Sequence, residues 1–113
     1  MAFHAGSAAE DCVARHYADA GLCIAERRWR GTCGEIDLVA EEGDGFVFVE
    51  VKRARSFAEA AERVTSRQMQ RIMNTALEYI ARRPSGLDTP MRFDVALVDG
   101  MGRVEVVENA FGA

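Results

Sequence analysis

The sequence predicts a single α/β domain in the order helix, three strands, helix, two strands, and three observations carry that expectation. The chain has 113 residues, 49% hydrophobic and 28% charged, which suffices for one buried core and leaves no room for a second domain. Two runs rich in Val, Ile and Phe, Glu35–Glu41 and Phe46–Lys52, flank Glu42-Gly43-Asp44-Gly45, the pattern of a β-hairpin. Met69, Ile72, Met73, Ala76 and Ile80 recur at the spacing of one buried helical face.

The first helix is expected from Ser7 to Gly21, with Ala9, Val13, Tyr17 and Ala20 on one side and Gly21 as its stop. Leu22 to Arg30 is mixed and arginine-rich, and reads as a strand near a sheet edge. Gly31-Thr32-Cys33-Gly34 is a turn leading into the hairpin. After a short Ala/Glu-rich piece, Phe57–Arg63, the second helix should run from Ser66 to Arg82 and end at Pro84-Ser85-Gly86. Arg92–Val98 and Arg103–Val107 complete the set as two strands joined by Asp99-Gly100-Met101-Gly102.

Composition excludes several classes of protein. No run approaches the ~18 apolar residues of a membrane span, and Met1-Ala2-Phe3-His4 lacks the basic start and apolar stretch of a signal peptide. A cytoplasmic location is the expectation. Cys12, Cys23 and Cys33 match neither a disulfide framework nor a zinc-site spacing, and read as core or surface residues. His4 and His16 are too few and too far apart for a metal cluster, and His16 should flank a buried stripe. A net charge of −4 argues against a uniformly basic, nucleic-acid-coating surface. Arginines nevertheless cluster: Arg53 and Arg55 follow Lys52, and Arg63, Arg67 and Arg71 recur every fourth residue, a pattern that suits a solvated helix face or a phosphate track.

Lys52 is the single lysine among fourteen basic residues. A compact ammonium with rotatable donors does chemistry that arginine's fixed fork does not, and Lys52 stands two residues after Glu50. Side chains alternate along a strand, so Glu35, Asp37 and Val39 should share one face and Ile36, Leu38 and Ala40 the other. In the next strand Phe48, Glu50 and Lys52 should lie opposite Val47, Val49 and Val51. If Gly43-Asp44 is the loop, Asp37 faces Glu50 and Glu35 faces Lys52; if Asp44-Gly45 is the loop, Asp37 faces Lys52. In either register the four polar groups share a face. Two opposed carboxylates repel unless something positive lies between them, and Lys52 or a divalent cation would serve. Mg²⁺ suits carboxylate oxygens, waters and a phosphate.

An Asp on one strand and Glu-x-Lys on the next, between two helices, resembles the PD-(D/E)xK nuclease superfamily with its restriction-endonuclease-like fold, a mixed central sheet flanked by helices. Gly34-Glu35-Ile36-Asp37-Leu38-Val39-Ala40 followed by Val47-Phe48-Val49-Glu50-Val51-Lys52, and later Arg92-Phe93-Asp94-Val95, resemble more narrowly the YraN family of small bacterial endonuclease-like proteins, itself similar to archaeal Holliday-junction resolvases. The resemblance covers almost the whole chain and implies one nuclease-like domain over residues 1–113. It implies a phosphodiesterase in which Asp37, Glu50 and the carbonyl of Val51 hold Mg²⁺ or Mn²⁺ and Lys52 acts on the attacking water and the developing charge.

By the same resemblance Glu10 would supply a further acid from the first helix, although Ser7-Ala8-Ala9-Glu10 also reads as a capping box. Gln68 stands where such nucleases place an active-site Gln or Lys, although Thr65-Ser66-Arg67-Gln68 is again a capping-box pattern. Glu35 is expected to partner Lys52 or to stand just outside the metal's ligands rather than bind it, and Asp94 to be structural or to support the site from behind. Where the family has Val-Lys-Thr-Arg this chain has Val51-Lys52-Arg53-Ala54, which moves the second basic residue to Arg55. The partner implied is DNA of branched, flapped or junction form, read by shape, with Arg53, Arg55, Arg67 and Arg71 on its phosphates. A symmetric homodimer would suit cleavage of two strands. The alternative is a nucleic-acid-binding module of the same fold that cuts nothing.

Overall fold

Glycine at the hairpin tip and a helical crossover between two strands set the sheet. The computed structural model describes residues 5–111, so His4 and the Met1–His4 segment lie outside the described residues. Its elements are α1 (Ala5–Asp19), β1 (Cys23–Arg30), β2 (Glu35–Glu42), β3 (Gly45–Arg53), α2 (Phe57–Glu62), α3 (Ser66–Ala81), a 3₁₀ turn (Gly86–Asp88), β4 (Met91–Val98) and β5 (Val104–Phe111). The sheet runs β1-β2-β3-β4-β5. Neighbours are antiparallel except β3 and β4, which are parallel. Parallel neighbours need a long crossover, and α2 and α3 provide it. The sheet is therefore mixed and flanked by helices, as expected.

Each face of the sheet has its own core. α1 lays Ala9, Val13 and Tyr17 against Leu38, Ala40, Val47, Val49, Ala96 and Val98. α3 lays Ile72, Ala76, Tyr79 and Ile80 against Ile36, Val39, Phe48 and Phe93. Burial on both faces explains why β3 and β4 are nearly continuous apolar runs rather than alternating ones. Phe48 and Phe93 stack at 5.5 Å between adjacent strands, and Tyr79 meets Phe48 edge-on at 5.8 Å. α2 covers a smaller group, with Ala60 against Ala54, Val95 and Leu97. No helix among the described residues is long and apolar enough to cross a membrane.

Several sequence expectations need correction. The described part of α1 already includes Ala5, so Ser7–Glu10 lies within the helix and not at its start. Gly21, at φ +92, does end α1, with Leu22 N–H donating to the Tyr17 carbonyl. Ala20 is exposed beyond the helix, and His16 is exposed with its ring edge-on to Tyr17. Phe57–Glu62 is a helix in its own right, capped by Ser56, whose hydroxyl accepts from Glu59 N–H. Arg63 follows α2 and is not on the helix carrying Arg67 and Arg71, so the three do not form one stripe. β5 extends to Phe111 because a bulge at Asn109, φ +51, lets the strand continue past an irregular register. Ile36 packs on the α3 face with Val39, not on the α1 face with Leu38 and Ala40, because β2 leaves regular pairing at Asp37.

Candidate functional site

Gly43 adopts φ +57, the backbone a two-residue hairpin loop asks of glycine. Glu42 therefore pairs with Gly45, and the ladder runs through Leu38 opposite Val49. This is the first of the two registers that the sequence allows. Beyond Val49 the strands part. β2 stays with β1 as far as Glu35 opposite Arg30, and β3 stays with β4 as far as Arg53 opposite Val98. In the fork, Val51 N–H has no strand partner on the β2 side and donates instead to Asp37 Oδ2 at 2.8 Å. A side-chain carboxylate thus takes the place of a backbone carbonyl.

Glu50 and Lys52 lie in the same fork. The Asp37 carboxyl lies against that of Glu50, close enough for the two to interact. Lys52 Nζ stands 3.2 Å from Glu50 Oε2, with side chains 16% and 13% exposed. Burial, followed by the hydrogen bond to Glu50 and its charge, pushes the Asp37 carboxyl up to about 8, while Val51 N–H and Lys52 pull it the other way. Two carboxyls this close cannot both ionise cheaply in a partly dry site. They retain a proton between them at neutral pH, and a stronger cation would take that proton's place. Paired carboxylate oxygens match the hard-oxygen donor set of Mg²⁺, so the residues present fit the implied ion.

Glu10 is not part of this pair. Its carboxylate, 8% exposed, accepts from Arg28 Nε at 2.9 Å, and among the described residues no three or more Asp, Glu, His or Cys side chains gather around one metal position. Arg28 is the residue sequence reasoning missed. It lies on β1 between the pairs Arg27–Leu38 and Trp29–Ile36, across from Asp37, with φ +53. That left-handed backbone costs a non-glycine residue about 1 kcal/mol. Its guanidinium is held protonated chiefly by the hydrogen bond and charge of Glu10, with Glu35 and Asp37 contributing. Nothing in the Arg27-Arg28 pair of the sequence distinguishes one arginine from the other; only the backbone angle does.

The remaining candidates divide. Glu35 pairs with Arg30 at 3.1 Å, not with Lys52. Gln68 is committed to its capping box: its Oε1 accepts from Thr65 N–H at 3.3 Å, and its N–H donates to Thr65 Oγ at 3.2 Å. Arg53, Arg55, Arg63 and Glu59 line a cavity of about 360 Å³ next to the end of β3, where Arg55 pairs with Glu59 and Arg63 donates to the Arg53 carbonyl. Arg67 and Arg71 line an open groove on α3 with Cys33 and Ser66. The two basic patches are separate. Cys12, Cys23 and Cys33 are all free thiols.

α3 is fastened to the start of β2 by contacts that the sequence did not reveal. Glu78 accepts from Thr32 N–H at 2.9 Å, Thr32 Oγ at 2.8 Å and Cys33 N–H at 3.0 Å. The two backbone N–H groups, then the hydroxyl, hold its carboxyl down to about 2. A Cβ on Gly34 would meet Arg71 Cγ and Cδ at 2.8 Å, so glycine permits that approach. Asp94 is structural, as expected: fully buried, it accepts from Tyr17 OH at 2.7 Å, from Arg92 Nε and Nη2 at 2.9 Å each, and from Asn109 N–H at 2.9 Å.

The sequence profile of the uncharacterised protein family UPF0102 matches residues 9–98 of this chain. A UPF0102 protein of Ruegeria pomeroyi is 60% identical over 108 residues, covering 96% of this chain and 88% of the relative. Another, from Cereibacter sphaeroides strain KD131, is 54% identical over 113 residues, covering 100% and 97%. One from Dinoroseobacter shibae is 47% identical over 104 residues, covering 92% and 78%.

Proposed function

We propose that this chain, which belongs to the uncharacterised protein family UPF0102, is a metal-dependent endonuclease acting on branched, flapped or junction DNA. The observation that carries this reading is the fork between β2 and β3, where the Asp37 carboxylate held by Val51 N–H lies against Glu50 beside the chain's single lysine. The resemblance of its two strand motifs to YraN and other PD-(D/E)xK nucleases supports the same reading and a restriction-endonuclease-like fold.

Asp37 and Glu50, with the carbonyl of Val51, are the groups that would hold Mg²⁺ or Mn²⁺. Bound there, the ion supplies charge neutralisation at the phosphate and a more acidic water. The protein's own share is positional. Val51 N–H fixes the Asp37 carboxylate, so the acid does not rotate away. Lys52, largely shielded from solvent, offers ammonium donors to an oxygen gaining negative charge, where a donor fixed in place acts without reorganising. Arg53 and Arg55 near the end of β3, and Arg67 and Arg71 on α3, would contact phosphates, which favours shape over sequence. In this reading a homodimer would present two such sites to a junction.

The test is cleavage of linear, nicked, flapped and four-way DNA in Mg²⁺ or Mn²⁺. Wild type should cut, with a preference for branched forms, and Lys52→Ala and Asp37→Ala should each lose about 10²-fold or more of the rate. Inactivity on every substrate would refute the nuclease reading. One observation favours a second reading, a binding module of the same fold: Gln68, a candidate for catalysis, is taken up by its cap. In that case DNA binding would persist undiminished in Lys52→Ala and weaken steeply with salt.

A further inference from the structure

We propose that the cavity between α3 and the β4–β5 edge of the sheet is a nucleobase pocket, which takes one unpaired base of single-stranded DNA while Arg67 and Arg71 hold the adjoining phosphate. The inference rests on the nucleic-acid reading above and deepens it by giving the unpaired strand of a flap a place to bind.

The cavity, of about 350 Å³, has apolar walls of Met73, Leu77, Met91, Phe93 and Phe111 and a polar rim of Gln70, Asn74 and Asn109. Apolar walls with a few placed polar groups are the usual make-up of a ligand pocket of this size. The rings of Phe48, Phe93 and Phe111 run in a row, with centroids 5.5 and 5.1 Å apart. Phe111 is the half-buried end of the row, so a flat base can extend it, as bases do on the aromatic side chains of single-strand binders. Leu77, 44% exposed, lines the same cavity from a helix whose core face is already filled by Ile72, Ala76 and Ile80, and an occupant that covers it removes apolar surface from water.

At the rim, Gln70 Nε2 donates to Asn74 Oδ1 at 3.2 Å. That bond leaves Gln70 Oε1 to accept and Asn74 Nδ2 to donate, and reversing both amides also leaves one of each. An adjacent donor and acceptor match the polar edge of an unpaired base. Gln70 and Asn74 also line the open groove that holds Arg67 and Arg71, so the two spaces adjoin across this amide pair. Neither arginine side chain has a hydrogen bond or ion pair among the described residues, although acids outnumber Lys and Arg by 18 to 14 in the chain. Guanidiniums on one flank and apolar walls with amides on the other fit the two halves of a nucleotide, phosphate and base. An apolar peptide would use the walls and leave the arginines idle.

Fluorescence anisotropy in EDTA, where no metal-dependent cleavage occurs, compares a short labelled single strand of DNA with the same strand made wholly of abasic nucleotides. Wild type should bind the base-bearing strand about 5- to 10-fold more tightly. Asn74→Ala and Leu77→Gln, both at exposed positions, should erase that difference and leave affinity for the abasic strand unchanged. Arg71→Ala should weaken both strands alike. Thermal melting of each variant checks folding, and the two rim and wall variants test the pocket separately. Equal affinity of wild type for the two strands would overturn the pocket while leaving the phosphate contacts standing. A preference that survives in both Asn74→Ala and Leu77→Gln would also overturn it, since the base would then sit elsewhere. Binding of neither strand would overturn the nucleic-acid reading together with the pocket, and self-association lost in Leu77→Gln would then assign the cavity to a second copy of the chain. The expected binding pattern without cleavage in Mg²⁺ would support the pocket and refute the nuclease reading alone.

Discussion

Asp37 carries the clearest single-residue consequence. Its carboxyl titrates near 8 in the folded protein, against about 3.9 in an unfolded chain. The folded state therefore binds the proton more tightly, and stability from this group is fully present below about pH 4 and is lost as pH rises toward about 8. Asp37→Asn should accordingly stabilise the metal-free protein by about 1–3 kcal/mol at pH 9 and by much less at pH 5, measured by urea unfolding at both pH values. An equal effect at the two would contradict the assigned cause. At this scale the sequence was informative where residue type is itself chemical. The lone lysine and the Asp/Glu-x-Lys spacing pointed to Asp37, Glu50 and Lys52, the residues that the structure brings together. Arg28, Glu78 and the Asp94 network were hidden, because their roles depend on where a folded backbone places one ordinary charge among many.

Among the elements, the hairpin and α3 govern the site jointly. The hairpin's loop chemistry and aliphatic pattern were legible and left two registers, of which the loop at Gly43-Asp44 selected one. The fork was not legible, because alternation assumes that pairing runs the length of the strand, and β2 pairs with β3 only from Leu38 onward. The same departure turned Ile36 toward α3. α2 was read as an unassigned piece because its six residues are too few to show a helical period. β5 was cut short because a bulge interrupts its pattern. α3 was read almost to the residue, including the Thr65–Gln68 capping box. Thr65→Ala should destabilise the protein by about 1 kcal/mol in chemical unfolding. Gly34→Ala should cost about 1–3 kcal/mol by overpacking against Arg71 and Thr75, with a matching fall in melting temperature.

Across the whole molecule, the Asp94 network ties three layers into one frame. Tyr17 comes from α1, Arg92 and Asp94 from β4 and the Asn109 amide from the β5 bulge, so the helix that carries Glu10 is pinned to the sheet that carries the fork. Asp94→Ala would leave Arg92 and Tyr17 without their shared acceptor and should cost about 3–5 kcal/mol in unfolding experiments. Under the proposed function, the net charge of −4 would be offset for a DNA partner by the arginines gathered in two places, Arg53, Arg55 and Arg63 near the end of β3 and Arg67 and Arg71 on α3. On the proposed function, the fork would be a divalent-cation site whose occupant replaces the proton that burial and Glu50 hold on Asp37. Titrating Mn²⁺ into the protein at pH 7 in buffers of differing ionisation enthalpy measures this directly. Release of a proton on binding is expected, because burial and Glu50 hold the Asp37 carboxyl protonated at neutral pH, and none is expected from Asp37→Asn. Binding without proton release, or release unchanged in Asp37→Asn, would contradict it.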